Sequence, residues 1–376
     1  MKIEKLKEKL TEVGDPRRQY GNLLHKLWEM LVIALLSVIC LGEDYDDMEE
    51  FGKERESWLR SELGLELANG IPDGDTFRRA IERIKPSELR QKLNESIVYV
   101  RQLRDIVNID GKTKKQSGCK SKKRNAAHII SAFACENRLV LGEVKSEKKY
   151  SESQAVPELL ESIDIYGSIV TADAGNCQKD IAAKIIEEDA DYVLTLKGNQ
   201  KTIHAATENY FLYNPQSAGC AIKYMEETNG SRLEKREYWL ETELNWLTMR
   251  DEWVGLSSVG MVKSVVIRAG KPSFEIRFFI TSLTDIDEFS NSVRKHWSIE
   301  NQLHWCLYVI WREDKAKAGK GNAAVNINIL EKHALHLIDK ADFSNFVKMG
   351  KPSKKRKRLK ATLNNDVLLS VILAGD

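Results

Sequence analysis

The spacing of apolar residues changes near residue 100, and this change divides the sequence. Before about Ile97 the apolar positions recur at intervals of three and four, as in Leu24, Leu27, Leu31 and Leu35. This is the spacing of helices that bury one face. The pattern predicts an all-helical N-terminal domain over residues 1–97, with roughly four helices.

Residues 98–200 contain short runs rich in β-branched and aromatic residues instead. Such runs predict strands. They fall at 106–110, 127–134, 138–144, 168–172 and 192–196, with helical patterns between the last three. Three strands in direct succession indicate a meander, and the strand–helix alternation that follows indicates a parallel half of the same mixed sheet.

Residues 201–286 begin with a helical pattern and continue with strand patterns at 236–240, 259–267 and 274–282. We interpret this part as a β-rich insertion into the mixed domain. Residues 287–376 return to helical spacing, with long helices around Glu300 and Glu331. The predicted fold class is therefore α/β (α+β), a mixed β-sheet domain that carries a β-rich insertion and follows a helical domain.

Composition narrows the class of protein. Hydrophobic residues make up 42% of the chain and charged residues 30%, as in a folded water-soluble protein. No apolar run approaches the roughly 20 residues that a membrane helix needs, so we expect no membrane association. The six cysteines form no CxxC pair, which indicates reduced thiols and a cytoplasmic location.

Basic residues are unevenly distributed, although the net charge is only +2. Residues 112–124 contain seven Lys or Arg and no acid, and residues 348–360 contain eight and no acid. Such blocks are typical of contact points for a polyanion. Each block by itself fits a solvated loop or tail equally well.

Three carboxylates occupy positions suited to metal binding. Asp110 ends the first predicted strand, Asp173 ends the fourth, and small residues follow each of them closely. Glu300 lies on a later helix, on one polar stripe with His296 and His304. A carboxylate at a buried strand end needs a compensating cation, and Mg²⁺ prefers such hard oxygen ligands.

These ligands suit hydrolysis or transfer at a phosphodiester. That chemistry needs an activated oxygen nucleophile and a stabilised leaving oxygen, which two divalent ions about 3.5–4 Å apart provide together. We therefore predict two Mg²⁺ or Mn²⁺ ions, with Asp110 bridging them and with Asp173 and Glu300 each serving one ion.

Other chemistries fit the sequence less well. A zinc site of His296, Glu300 and His304 would span about 12 Å of helical rise, too far for one tetrahedral ion. Residues 111–113 imitate the end of a P-loop, but position 106 is Ile rather than Gly. No Gly-x-Ser-x-Gly nucleophile elbow is present.

Longer motifs are more specific than these patterns. They are Asp15-Pro16-Arg17-Arg18, Gly70-Ile71-Pro72-Asp73-Gly74-Asp75-Thr76-Phe77, Ile109-Asp110-Gly111-Lys112-Thr113, Thr171-Ala172-Asp173-Ala174, Leu196-Lys197-Gly198-Asn199-Gln200 and His296-Trp297-Ser298-Ile299-Glu300-Asn301. In these motifs, over almost its whole length, the chain resembles the H-repeat-associated family of bacterial insertion-sequence DDE transposases.

The resemblance implies an RNase H-like catalytic domain with Asp110, Asp173 and Glu300 as its metal-binding triad. It also implies metal-dependent DNA strand cleavage and transfer at insertion-sequence ends. The expected partners are transposon-end DNA and target DNA, and a homodimer that bridges two ends is expected from the chemistry.

Cationic and aromatic residues near these motifs are candidates for DNA contacts. The DNA-binding candidates are Lys112, Lys122, Lys123, Arg124, Lys197, Arg294, His296, Arg356 and Arg358. For Lys197, contact with a phosphate and simple exposure at a strand end remain equal alternatives. Trp297 is the tryptophan best placed to meet a base, although packing in a core is the usual role of tryptophan.

The chain departs from the family pattern at several positions. The family sequence Leu-His-Trp-x-Leu-Asp-Val becomes Leu303 to Val309 here, with Tyr308 at the aspartate, and the family's His-Gly-Arg is disturbed near Gly230. Two alternatives therefore stay open. One is a catalytically decayed or repurposed sequence-specific DNA-binding protein, and the other is a structure-selective nuclease on the same fold.

Overall fold

The structure, a computed structural model, describes residues 3–17, 23–97, 102–114, 126–146, 152–213, 220–313, 320–346 and 350–375 of the chain. Within these residues the chain forms helical segments at both ends and a mixed nine-stranded sheet between them.

The N-terminal segment contains six described helices, two more than the sequence suggested. They are α1 (Glu4–Thr11), α2 (Leu27–Ile39), α3 (Tyr45–Glu54), α4 (Glu56–Leu63), α5 (Gly74–Ile81) and α6 (Pro86–Glu95). Every residue of α2 is buried, since this helix is apolar on nearly all sides and has helices on several of them. The carboxylate of Glu29, the one acid within α2, accepts hydrogen bonds from the backbone N–H groups of Glu66 and Leu67.

The sheet combines the mixed domain and the β-rich segment. Its strands are β1 (Ile106–Lys114), β2 (Ala127–Ala134), β3 (Leu139–Ser146), β4 (Ile169–Ala172), β5 (Asp191–Leu196), β6 (Cys220–Asn229), β7 (Arg232–Glu241), β8 (Ser258–Arg268) and β9 (Lys271–Thr281). The strand order is β3-β2-β1-β4-β5-β9-β8-β7-β6.

Pairing among the first five strands confirms the predicted meander and parallel half. Strands β1, β2 and β3 pair antiparallel, whereas β1, β4 and β5 pair parallel. One boundary was wrong. Strand β1 continues past Asp110 to Lys114, so Lys112 belongs to the strand, where it is paired with Ile129, and not to a loop.

The β-rich segment extends this sheet. Strands β6 to β9 form antiparallel pairs, and β9 pairs antiparallel with β5. The sequence pattern missed β6. A two-residue turn joins β8 to β9, where Ala269 and Gly270 both have positive φ, at 48° and 76°. Positive φ at both positions is the geometry of the tight hairpin turn whose twist matches that of the strands.

Seven further helices cover the sheet and close the fold. They are α7 (Glu152–Glu161), α8 (Lys179–Glu187), α9 (Lys201–Tyr213), α10 (Ile286–His296), α11 (Ala323–Lys340), α12 (Lys354–Leu363) and α13 (Asn365–Ile372). One apolar core lies between the sheet and α7, α8 and α9. The other face of the sheet shares a core with α10, α11 and the N-terminal helices.

The N-terminal helices pack directly against the C-terminal ones. Helix α11 contacts α2, α5 and α6 as well as α12 and α13. Their apolar residues form one continuous core with those of the sheet, so the predicted N-terminal helical segment does not stand apart from the rest of the fold. Among the described helices, none has the length and apolar content to cross a bilayer.

Candidate metal centre

Alternate residues of β1 face α10, and the site is built from this alternation. The side-chain amide of Asn108 donates to the Lys295 carbonyl at 2.8 Å. Thr171 on β4 donates to Asn108 at 2.6 Å and shares a 2.8 Å hydrogen bond with His296 Nδ1. These bonds fix the C-terminal end of α10 across β1 and β4. Asp110 lies two residues after Asn108 and therefore on the same side of β1. The segment that continues α10 covers it.

That continuation is a wider helix than the sequence pattern suggested. The segments Ile299–His304 and Cys306–Ile310 are π-helical. Short π-helical turns are rare and are frequently found at functional sites. In this geometry His304 Nδ1 lies 3.3 Å from Asp110 Oδ2 and 3.8 Å from Glu300 Oε2. The structure therefore brings Asp110, Glu300 and His304 together.

The pKa values of Asp110 and His304 reflect both their burial and their contact with each other. Burial raises the pKa of Asp110, but hydrogen bonding and attraction to His304 outweigh it, so the pKa lies below its ordinary value. For His304, burial lowers the pKa, but hydrogen bonds to Asp110 and Glu300 outweigh it and leave the pKa raised. Both shifts have one main cause, the contact between the Asp110 carboxylate and the His304 ring.

Asp173 lies at the end of the neighbouring strand. Residues Ile109 and Ala172 are paired in the parallel β1–β4 ladder, so Asp110 and Asp173 follow a matched pair of residues. Asp173 Oδ1 accepts hydrogen bonds from the backbone and side-chain N–H groups of Asn176, at 3.3 and 3.1 Å. A Cβ atom added at Gly175 would lie 3.3 Å from this oxygen. Glycine at this position therefore leaves the space around Asp173 Oδ1 open.

The three predicted ligands share one neighbour, His296. Burial lowers the pKa of His296, and the negative charges of Asp110, Asp173 and Glu300 oppose that effect. Among the described residues, however, the tight cluster that could hold an ion consists of Asp110, Glu300 and His304, whose ligand atoms all lie within 4.8 Å of one another. Asp173 stands outside this cluster.

These donors fit a divalent cation. Carboxylate oxygens are the ligands that Mg²⁺ and Mn²⁺ prefer, and an imidazole nitrogen is a ligand of transition-metal ions such as Zn²⁺. Asp110 is partly buried, with 21% of its side chain exposed, whereas the side chain of Glu300 is 52% exposed. An ion bound by Asp110 and Glu300 would be held by the protein on one side and would be accessible to a substrate on its other side.

Lys112, a predicted DNA contact, is engaged within the protein. Its ammonium donates to the His304 carbonyl at 2.8 Å and pairs with Glu313 at 2.5 Å. It also lies 5.6 Å from the centre of the Tyr308 ring. A cation with these partners supports the site from inside and is poorly placed to reach DNA.

An arginine-lined cleft of about 580 Å³ adjoins the site. Its wall is formed by residues of strands β7, β8 and β9 and by the C-terminal end of helix α10. It contains Arg232, Arg236, Arg268, Arg277, Arg294, Trp297 and Asn301, together with Glu234 and Glu275. Trp297 and Asn301 flank Glu300 in sequence, and Trp297 is 46% exposed. The cleft therefore opens beside the candidate metal ligand.

Several arginines of the cleft are ion-paired with glutamates. The Arg232 guanidinium pairs with Glu234 at 3.0 Å, and Arg277 Nε lies 3.7 Å from Glu275 Oε2. Arg294 pairs with Glu227 at 2.8 Å, and the Arg277 guanidinium lies 5.8 Å from the Trp297 ring. The sequence identified Arg294 and Trp297 in this cleft and missed the arginines of the strands.

The C-terminal basic block is largely used inside the protein, which corrects the expectation of a polyanion contact for several of its members. Arg358 is 2% exposed, and its guanidinium donates to the carbonyls of Val38, Ile39 and Ile310. Burial lowers the Arg358 pKa to about 10. A guanidinium in this position does not reach DNA.

One neighbouring cation, Lys357, is also engaged within the protein, whereas Arg356 is not. Lys357 donates to the carbonyls of Ile338 and Ala341 at the end of α11, where cations are favoured. Arg356 is exposed, as is Lys197 beyond β5, so both stay candidates for DNA contacts. The predicted contacts Lys122, Lys123 and Arg124 lie outside the described residues.

His304 is the site residue that sequence reasoning placed nearby but gave no role. The spacing from Glu300 to His304 was visible in the sequence. A regular helix, however, gave no reason to bring His304 onto Asp110. The pairing depends on the π-helical turns, for which the sequence offered no signal.

Two family models match the chain. A model described as "DDE_Tnp_1-associated" matches residues 7–95. A second, described as "Transposase DDE domain", matches residues 95–337. Together they cover most of the chain and include all three predicted metal ligands.

Curated relatives agree with these matches. The chain is 35% identical to "Putative transposase YncI" of Escherichia coli O157:H7, over 99% of this chain and 95% of that protein. It is 33% identical to "H repeat-associated putative transposase YhhI" of E. coli K12, over 100% and 99% of the two chains. A shorter relative, 33% identical over 23% of this chain and 98% of its own length, bears the name "Inactive transposase YbfQ".

Among solved structures, a piggyBac transposase synaptic complex with hairpin DNA is similar over 98% of this chain and 77% of that chain. The TM-score is 0.43 and the identity 10%. A likeness of this size carries no argument about function.

Proposed function

The chain belongs to the DDE transposase family and is a transposase, and from this premise we propose that it cleaves and joins DNA at insertion-sequence ends with Asp110, Asp173 and Glu300 as ligands of divalent metal. The proposal extends to an RNase H-like catalytic domain, since its strand order β3-β2-β1-β4-β5 combines an antiparallel meander with a parallel half. The alternative of a decayed DNA-binding protein is not favoured by these relatives.

One observation carries the proposal. Asp110, on strand β1, lies against the helix that bears Glu300, and His304 lies between the two carboxylates at 3.3 and 3.8 Å. Residues far apart in sequence thus converge on a partly open edge of the sheet, next to the strand that ends in Asp173. Carboxylates gathered in this way are costly unless a cation compensates them.

A bound pair of divalent ions would supply an activated water and stabilise the leaving oxygen of the phosphodiester. The protein residues have separate tasks. Asp110 and Glu300 offer oxygen ligands from a strand and a helix, which are both rigid supports. Asn108 and Thr171 hold the end of α10, and with it the segment carrying Glu300, in register with β1.

The arginine-lined cleft gives the substrate a path to these ligands. Five arginines against two glutamates line it, and the N–H groups of guanidinium match the acceptor oxygens of a phosphate. Phosphate contacts of this kind fix the register of DNA without reading its sequence. We infer that the DNA backbone next to the scissile phosphate crosses this cleft.

The test is Mg²⁺-dependent nicking of DNA that carries the element's own ends. Wild-type protein is expected to nick near those ends and to join the freed 3′ hydroxyl to target DNA. Asp110→Asn removes a charged ligand with little change in shape, and we expect it to abolish both steps. Asp173→Asn and Glu300→Gln are expected to do the same.

Asp251→Asn serves as the matched control, because the Asp251 side chain is 98% exposed and its ion-pair partner is the neighbouring Arg250. It should nick like wild type. Undiminished nicking by folded Asp110→Asn would sink the triad assignment. Cutting without preference for the ends, and without joining, would instead favour a structure-selective nuclease.

A further inference from the structure

The connection that follows β5 lies beside the connection that follows β4. The two strands are parallel neighbours, and Ala172 of β4 is paired with Leu194 of β5. Both connections therefore leave the sheet at the same edge, next to each other. The first begins with Asp173 and the second with Lys197, so the second can act on the predicted metal ligand in the first.

The connection after β4 is a short 3₁₀ turn, Ala174–Asn176, which Asp173 caps. Asp173 Oδ1 accepts hydrogen bonds from the backbone and side-chain N–H groups of Asn176. The backbone carbonyl of Asp173 accepts from the Asn176 N–H at 3.1 Å. Because Asn176 is fully buried, the direction of the Asp173 carboxylate depends on where this turn is held.

Two side-chain amides of the second connection hold the turn. Asn199 Nδ2 donates to the Ala174 carbonyl at 2.6 Å. Gln200 Nε2 donates to the Cys177 carbonyl at 2.9 Å and to Gln178 Oε1 at 3.2 Å. The two amides thus bind carbonyls at both ends of the turn that fixes Asp173.

The second connection is itself firmly placed. Its 3₁₀ turn, Gly198–Gln200, is closed by a hydrogen bond from the Gln200 N–H to the Lys197 carbonyl at 3.0 Å, and helix α9 begins at the next residue. Side chains on regular elements hold their partners more precisely than side chains on loops. Asn199 and Gln200 can therefore impose one position on the neighbouring turn.

Asp173 depends on such support more than the other predicted ligands do. Asp110, Glu300 and His304 form one tight cluster, whereas Asp173 lies outside it and is exposed. Among the described residues, the side-chain hydrogen bonds of Asp173 go to Asn176 alone. The metal centre thus has two halves with separate supports, one at the end of α10 and one in the connection after β5.

We propose that Asn199 and Gln200 are positioning residues, which fix the Asp173 carboxylate and thereby set the affinity for the divalent ion that Asp173 serves. The ion that Glu300 serves has a different support and keeps its affinity when these amides are removed. The inference rests on the proposed metal-dependent function.

The test is a Mn²⁺ titration of the full-length protein, in which free Mn²⁺ is measured by its electron paramagnetic resonance signal. Wild-type protein is expected to bind two Mn²⁺. The double variant Asn199→Ala/Gln200→Ala should bind one ion within about twofold of wild type and the other about 10-fold to 100-fold more weakly, as changes to residues that orient metal ligands do.

Asn69→Ala is the matched control. Asn69 is also exposed, and its side-chain amide also donates to a backbone carbonyl, that of Leu24, at 2.6 Å. It lies between α4 and α5, and its variant should bind both ions like wild type. Thermal unfolding shows whether each variant is folded. If the double variant is not, the single variants Asn199→Ala and Gln200→Ala, which each keep one amide, take its place.

Asp173→Asn distinguishes positioning from a general loosening of the fold. It should weaken the same ion as the double variant does. Combining all three changes should weaken that ion by less than about threefold more, because residues that act through one ligand are not additive. A loosened fold would instead weaken both ions together.

Three results in folded protein overturn the inference and leave the proposed function intact. They are wild-type affinity for both ions in the double variant, equal weakening of both ions, and a large further loss when its changes are added to Asp173→Asn. If wild-type protein binds fewer than two Mn²⁺, or if Asp173→Asn binds both like wild type, the proposed metal centre itself is contradicted, and this inference with it.

Discussion

His304 Nδ1 lies 3.3 Å from Asp110 Oδ2, closer than it lies to Glu300 on its own helix, at 3.8 Å. The imidazole therefore joins strand β1 to the helix that carries the third carboxylate. It either orients the two carboxylates or contributes a ligand of its own, and in both cases the site depends on it.

The first prediction concerns this ring. We expect His304→Gln to raise the Mg²⁺ concentration needed for half-maximal nicking by about 10-fold to 100-fold, the usual effect of removing a residue that orients metal ligands. His204→Gln is the control, since His204 packs on Phe278 in another part of the sheet. An unchanged Mg²⁺ requirement in folded His304→Gln would show that the ring is dispensable.

The arginine-lined cleft leads to a prediction about salt dependence. Arg232→Gln and Arg268→Gln should weaken DNA binding and reduce the slope of log affinity against log salt by about 0.9 for each phosphate that the variant no longer neutralises. Fluorescence anisotropy at several salt concentrations measures both quantities. Arg250→Gln, a half-exposed arginine outside the cleft, should leave the slope unchanged. Equal slopes for all these proteins would exclude the cleft from the DNA path.

Gly260 on β8 tests how closely α10 packs against the sheet. A Cβ atom added there would lie 2.3 Å from Phe289 Cζ, a ring buried beneath α10. We expect Gly260→Ala to lower stability by about 1–3 kcal/mol, the usual cost of overpacking a core, and to reduce nicking because α10 leads to Glu300. Chemical denaturation measures the first effect. Gly198→Ala, where nothing lies within 4 Å, should behave almost as wild type.

Arg358 provides a prediction about stability alone. Its guanidinium donates to the carbonyls of Val38, Ile39 and Ile310 and lies 4.3 Å from the Trp311 ring. Arg358→Met should lower the free energy of unfolding by about 3 kcal/mol, because buried carbonyls lose their donors. The exposed neighbour Arg356, changed to Met, should alter it by less than about 0.5 kcal/mol. Similar reductions in both variants would contradict the structural role of Arg358.

His333 predicts how stability depends on pH. Burial lowers the pKa of His333 to about 3, well below its ordinary value of 6.5. The unfolded chain therefore binds more protons between these values, so this contribution to stability is complete above pH 6.5 and is lost as the pH falls. The slope reaches at most about 1.4 kcal/mol per pH unit.

His333→Leu should flatten the fall in denaturation midpoint between pH 6.5 and pH 5, a range expected to lie above the titration of most carboxylates. His204→Gln should keep the wild-type slope. The same slope in all three proteins would show that His333 does not remain neutral in the folded state.

Much of the sheet could be predicted from the sequence alone. Each of the first five strands is a short β-branched or apolar run between turn residues, and the chain order β-β-β-α-β-α-β restricts how such strands can pair. The position of Asp173 at the end of a strand paired with β1 follows from that order, whereas the continuation of β1 beyond Asp110 does not. The family could be recognised from motifs for the same reason, since these are local stretches of sequence.

The tertiary structure decided what each charged side chain does. The basic residues Lys112 and Arg358 read as DNA contacts in the sequence, yet the fold places them beside carbonyls and a buried glutamate. Whether a cation meets solvent or an interior acceptor depends on segments hundreds of residues away, which no local pattern records. The same long-range packing sets the π-helical turns that carry His304 to Asp110.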